Sequence, residues 1–221
     1  MFRSLISATA AAAFAVSVAW AQLVPPKVIL LVGPPGSGKT TQAQVLAKKY
    51  RIPAFSMANL LTKQVSPSND DPLSKALAVS IASGDALPDD AATDLIRLHL
   101  LNANLRKGFI LDGYPSTAAQ AMALDVLLQE QQLPKAIVIV FDAPDDVIRK
   151  RMLARKRVDD KPDNIDRRIK EFRNEAALLV EWAGKTNVVR VNANTTIANV
   201  STQVMTGLED VWAHRPFATR K

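Results

Sequence analysis

Gly33-Pro34-Pro35-Gly36-Ser37-Gly38-Lys39-Thr40 is the stretch of this chain whose residue types and spacing point most directly to chemistry. It fits G-x-x-x-x-G-K-[ST] at every fixed position. The glycines let backbone N–H groups converge on an anion where side chains would block the approach. A helix opening at Gly38 adds unpaired N–H groups and the positive end of its dipole. Lys39 is expected to reach the β- and γ-phosphates of a nucleotide, and Thr40 to ligate Mg²⁺. The context that such a loop requires is present. Lys27-Val28-Ile29-Leu30-Leu31-Val32 is a continuous apolar run after its first residue, as in a strand buried on both faces of a parallel sheet. These residues, with Thr41, form the expected cradle for ATP.

A second group of residues is basic. Arg151 and Arg155 are four apart on a helix expected from Pro144 to Lys156, so they share a face. Like charges at that spacing weaken a helix unless an anion lies near them. Arg157 and Arg168 join them if the chain folds back after Asp160-Lys161-Pro162. Four guanidiniums converging on one point suit a triphosphate whose charge spreads in a loose transition state. The bland alternative is a solvated basic helix face, and the phosphate loop tips the balance against it.

The elements that must position these groups alternate. After Pro25-Pro26, short strands are expected at Pro53–Ser56, Gly108–Asp112, Ala136–Asp142 and Val188–Asn192. Helical patterns run from Gly38 to about Tyr50, then over Asp89–Leu105, Ser116–Gln131, Asp163–Gly184 and Thr195–Trp212. Strands alternating with helices imply a parallel sheet covered on both faces.

Composition closes off other chemistries. The 221 residues contain no cysteine, so disulfides, thiolate zinc sites and cysteine nucleophiles are excluded. His99 and His214 are too few for a histidine metal site. Hydrophobic residues make up 48% and charged residues 22%, ordinary for a soluble domain, and the length allows one full core with a small insert or two. The net charge of +7 arises before Asp70; from there on, basic and acidic residues balance. No basic stripe with interleaved aromatics accompanies it, so no nucleic-acid partner is expected. No N-K-x-D guanine box is present.

Residues 1–21 read as a secretory signal: Arg3, an apolar run from Leu5 to Val18, and Ala19-Trp20-Ala21 as a small-x-small cleavage site. The run is too short for a permanent membrane anchor. Cleavage after Ala21 would export the protein to the periplasm or beyond; an unprocessed leader would leave it cytoplasmic.

Four motifs in order resemble the adenylate kinases, over roughly Val28 to Leu208. The loop through Gln42 is similar to that family's G-x-P-G-x-G-K-[GT]-T-Q. Gly108-Phe109-Ile110-Leu111-Asp112-Gly113-Tyr114-Pro115-Ser116-Thr117-Ala118-Ala119-Gln120 resembles its G-F-[IL]-L-D-G-[FY]-P-R-T-x-x-Q. Gly84-Asp85-Ala86-Leu87-Pro88-Asp89 resembles its G-x-L-V-P-D turn, and Arg157-Val158-Asp159-Asp160 with Arg168 its lid signature. The resemblance implies a three-layer α/β/α P-loop NTPase fold with a five-stranded parallel sheet. It also implies a small acceptor-binding helical insert (about residues 55–88) and a very short lid (about 155–162), all within one kinase domain at 22–221. It further implies ATP with Mg²⁺ and a nucleoside monophosphate, AMP first, handled by a monomer. Lys39, Arg151, Arg155, Arg157 and Arg168 would be catalytic, with Arg151 also binding ATP. Asp112 would hold Mg²⁺ through water. Asp159 and Asp160 would orient the lid. Ser56, Met57, Leu87, Gly113 and Gln120 would bind the acceptor, with Gln120 against its base.

The match departs from the family on the acceptor side. Thr62 and Ser116 stand where the family has its two acceptor-phosphate arginines, Asn59 where it has aspartate, and Met57 where it usually has threonine. Lys63 next to Thr62 is a point charge without a guanidinium's fork. Three readings therefore stay open at this point. They are an adenylate kinase with a weakened acceptor site, a same-fold kinase for another small acceptor, and an ATP-binding relative with little transferase activity.

Overall fold

The computed structural model describes residues 25–65, 71–83, 87–155 and 161–215. The leader through residue 24, the lid residues Lys156 to Asp160 with Arg157 among them, and the turn residues Gly84, Asp85 and Ala86 lie outside the described residues. Five strands form one sheet: β1 (Lys27–Val32), β2 (Ala54–Ser56), β3 (Gly108–Asp112), β4 (Ile137–Asp142) and β5 (Val188–Asn192). Their spatial order is β2-β3-β1-β4-β5, and every pairing is parallel. The expected five-stranded parallel sheet is thus observed, with strand bounds shifted by no more than a residue.

Apolar side chains on both faces explain why β1 and β3 carry no polar alternation. Val28, Leu30, Val32, Phe109 and Leu111 point into one buried cluster, and Ile29, Leu31 and Ile110 into another. The first cluster is completed by α2 (Met57–Gln64), α3 (Pro72–Ser83), α4 (Asp89–Leu101) and α5 (Ala118–Glu130). The second is completed by α1 (Lys39–Tyr50), α6 (Asp145–Arg155) and α8 (Ile197–His214). The long helix α7 (Pro162–Ala183) reaches both, through Ile165 and Ile169 on one side and Leu179 and Ala183 on the other.

Three helices differ from expectation by two residues or more; the last, expected over Thr195–Trp212, runs Ile197–His214 because Thr196 caps it, its hydroxyl accepting from Asn199 N. The helix expected to reach Leu105 stops at Leu101, and Leu105 turns back into the first cluster ahead of Gly108. The helix expected from Ser116 starts at Ala118 because Thr117 caps it, its hydroxyl accepting from Gln120 N at 3.2 Å. Such a cap contributes about 1 kcal/mol. The cap leaves Ser116 in the turn before the helix, next to the carboxyl end of β3.

Candidate functional site

The strand order reverses direction at β1, and in sheets of this kind ligands collect beyond the carboxyl ends of the strands at that point. The phosphate loop leaves the end of β1 there. Gly36 and Gly38 adopt φ of 82° and 94°, in the left-handed region that glycine enters without strain. A Cβ on Gly33 would lie 2.8 Å from Ser37 Oγ and 2.9 Å from Phe141 Cβ, so this position has no room for a side chain. Pro34 O accepts from Ser37 N at 3.2 Å, which tightens the turn. Pro35 lies in the loop's turn and Thr41 in the first turn of α1. Ser37 is 2% exposed, and its hydroxyl has no partner among the described residues. An unsatisfied buried hydroxyl beside left-handed glycines and a helix start is what an arriving phosphate would complete.

Lys39 Nζ donates to Gly33 O at 2.6 Å and to Pro34 O at 3.0 Å, folding the side chain back over the loop. The residue keeps partial exposure while its ammonium is enclosed. Burial draws its pKa down to about 8; the Asp112 carboxylate opposes this, and the charges of Arg168 and Arg155 deepen it. Arg155 from the end of α6 and Arg168 from the first turns of α7 therefore act on the same ammonium. The helices that carry them are tied by Arg149, whose Nε and Nη2 reach Asp166 Oδ1 at 2.8 and 2.6 Å. Arg173 adds bonds to Asp142, Asp145 and Ala143 O, joining α7 to the end of β4.

Arg151 is directed elsewhere. Its Nη1 donates to Ala193 O at 2.9 Å, in the loop after β5, while its Cβ lies under Gly36. Of the four arginines expected to converge, Arg155 and Arg168 lie near enough to Lys39 for their charges to lower its pKa, Arg151 lies alongside the loop, and Arg157 is outside the described residues.

Thr40 Oγ1 donates to Asp112 Oδ2 at the end of β3, where the carboxylate is 4% exposed. A hydroxyl and one carboxylate are hard oxygen donors. They fit Mg²⁺, which keeps several waters and takes its remaining ligands from phosphates.

On the acceptor side, Ser56 ends β2 in register with Asp112, and Met57 opens α2. Gly113, at φ 83°, approaches Met57 closely enough that a Cβ there would sit 3.5 Å from Met57 Cβ. Leu87 packs on the first cluster ahead of α4. Gln120 is 3% exposed and hydrogen-bonded at both ends of its amide. Thr62 is exposed, its hydroxyl donating back to Ala58 O at 2.9 Å.

The sequence reading assigned no role to Asp89, which accepts from both Gln120 Nε2 and Thr117 Oγ1. Its signal was its place just after Pro88 at a helix start. Gln42 was quoted only as part of a motif. It is buried, its Oε1 accepting from Ser201 Oγ at 2.9 Å and its Nε2 donating to Ile197 O, so α1 is held to α8.

A profile of the adenylate kinases matches residues 31–188, well over half of the chain. The chain belongs to the adenylate kinase family. It is therefore a nucleoside monophosphate kinase, a phosphotransferase. Among similar proteins, the adenylate kinase of Corynebacterium urealyticum is 32% identical over 181 residues, covering 82% of this chain and 98% of that one. The adenylate kinase of Corynebacterium diphtheriae is 33% identical over 180 residues, 81% of this chain and 98% of its own. Adenylate kinase 1 of a Nostoc species is 36% identical over 154 residues, 70% and 83% of the two chains. Members of this family use ATP with Mg²⁺, which accords with the donor set at Thr40 and Asp112. Among the described residues, no helix is long and apolar enough to cross a membrane.

Proposed function

We propose that this kinase moves the γ-phosphoryl group of ATP to AMP, yielding two molecules of ADP, and that it does so as a monomer. The observation that carries the reading is Lys39 folded over the phosphate loop, within the electrostatic reach of Asp112, Arg155 and Arg168, beside the Thr40–Asp112 pair. The loop amides and Lys39 would hold the β- and γ-phosphates. Arg155 and Arg168 would face the equatorial oxygens, where charge spreads in transfer. The bond from the γ-phosphorus to the β–γ bridging oxygen breaks, and one to a phosphate oxygen of the acceptor forms. That acceptor oxygen is already anionic, so no general base is required. Mg²⁺, held by Thr40 and through water by Asp112, would neutralise phosphate charge.

A second reading, a different small acceptor on the same scaffold, is favoured by one observation. Thr62 and Ser116, at the positions of the missing arginines, satisfy their hydroxyls internally and present no cation. ADP formation measured across AMP, the other nucleoside monophosphates and uncharged nucleosides decides between the two. Turnover highest with AMP supports the first reading, whereas turnover with another acceptor and none with AMP sinks it.

The leader supports a further expectation, export after cleavage at Ala21. Mass spectrometry of the protein from its native host should then find Gln22 at the amino terminus. An intact Met1 or Phe2 on cytosolic material would rule this out.

A further inference from the structure

Gln120 is held in one orientation. Its Oε1 accepts from the backbone N–H of Ser116 at 2.8 Å and from the Ser116 hydroxyl at 3.1 Å. Its Nε2 donates to Asp89 Oδ1 at 2.8 Å. A backbone N–H only donates and a carboxylate only accepts, so chemistry alone fixes which end of the amide is oxygen. Rotating the amide would set donor against donor at Ser116 and acceptor against acceptor at Asp89. The frame around it is equally fixed. Thr117 Oγ1 donates to the same Asp89 oxygen at 2.9 Å, and Tyr114 Oη, bonded to Thr93 Oγ1 at 2.9 Å, reaches Gln120 O at 3.2 Å.

A carbonyl oxygen has two lone pairs, and both are taken here; of two amide hydrogens, one is taken. What Gln120 has left is a single N–H donor. Resting on the proposed function, with the acceptor base against Gln120 as the family resemblance implies, we infer that Ser116 determines base specificity by occupying the second lone pair of Gln120. Adenine offers a ring-nitrogen acceptor beside an amino donor, and hypoxanthine a carbonyl acceptor beside a ring N–H donor. A lone N–H bonds to either base and rewards the donor of neither. The acceptor site therefore separates AMP from IMP poorly. The serine that removes a phosphate-gripping arginine also blunts the reading of the base.

The test is the ratio of kcat/KM for AMP to that for IMP in the full chain, in wild type, Ser116→Ala and Ser116→Thr. Ser116 is exposed, so neither change opens the core. Wild type should give a ratio within about threefold of unity. Ser116→Ala frees one lone pair on an amide still oriented by Asp89 and the Ser116 N–H. The ratio should then move by about 3- to 10-fold through KM, the effect of one neutral hydrogen bond. Ser116→Thr keeps the hydroxyl and should keep the wild-type ratio. A wild-type preference above about thirtyfold, or a ratio unmoved in Ser116→Ala, overturns the inference while leaving the kinase reading intact. No transfer to any monophosphate would instead overturn the proposed function, and this inference with it.

Discussion

Thr40 and Asp112 stand 72 residues apart in the chain, yet the threonine hydroxyl donates to Asp112 Oδ2 at 2.5 Å. The bond closes the space between the start of α1 and the end of β3 and brings two oxygen donors side by side. Asp112→Asn should lower kcat by roughly two to three decades, the cost of losing a preorganised electrostatic group. The Mg²⁺ concentration for half-maximal activity should rise as well. A Mg²⁺ titration of turnover checks both, and an unchanged Mg²⁺ requirement would count against the assignment.

Lys39→Met keeps bulk while removing the charge that faces the loop. Transfer should fall by roughly two to four decades. Near-native turnover in this variant would contradict the placement of the chemistry at the phosphate loop.

The depressed pKa of Lys39, about 8, has a proton-linked consequence. Phosphate charge favours the ammonium, so ATP binding at pH 8 should take up about half a proton, since a group at its pKa is half ionised. Calorimetry in buffers of differing ionisation enthalpy reads this directly, and Lys39→Met should abolish it. Without nucleotide, the unfolded chain binds more protons than the folded one between about pH 8 and the ordinary lysine value. This group's contribution to stability therefore rises with pH across that window. Arg168→Ala should move the midpoint of proton uptake upward, because the Arg168 charge helps depress Lys39. It should also lower kcat more than ATP affinity, since charge is most spread in the transition state.

Thr62→Arg with Ser116→Arg should raise kcat/KM for AMP by at least about a decade. Charge-assisted hydrogen bonds contribute about 1.5–3 kcal/mol each. Both sites are exposed, so the longer side chains have room. The two changes should be non-additive because they serve one anion. Absence of any gain, with wild type inert toward all monophosphates, would remove AMP as the acceptor.

Two glycines separate steric from conformational cost. A Cβ on Gly108 would lie 2.0 Å from Lys27 O, whereas one on Gly184 meets nothing within 4 Å; both have positive φ, 99° and 77°. Gly184→Ala should cost about 1–3 kcal/mol, since φ 77° with ψ 144° is backbone that essentially only glycine adopts. Gly108→Ala adds displacement of β1 against β3 and should cost more than about 4 kcal/mol. Thermal unfolding of both variants measures the difference.

The phosphate loop and the five strands were legible in the chain because each rests on local pattern. Val28 to Val32 is apolar at every position, and the loop is a contiguous motif. What was not legible depends on partners distant in sequence or lacking a side-chain signature. Arg151 is claimed by a backbone carbonyl at Ala193, and no residue type announces a carbonyl. Asp89 and Gln120 are 31 positions apart, and their pairing follows only from α4 and α5 starting side by side. The helices α2 and α3 escaped individual notice because α2 is short and the buried positions described on it and α3 are few: Met57 and Leu60 on α2, Ser74 and Leu77 on α3.

The division of the interior into two apolar clusters by the sheet has a bearing on which changes this chain can tolerate. α2 to α5, with Met57 and Gln120 among their residues, lie on one cluster, while α1, α6 and α8, with Lys39 and Arg155 among theirs, lie on the other. A rigid partition between the two layers lets one compartment be rewritten while the other is kept. Thr62 and Ser116 beside a complete phosphate-loop motif are a combination that such insulation permits. A substitution in one layer then leaves the packing of the other in place, and α7, seated on both clusters, is the element where changes on the two sides must be reconciled.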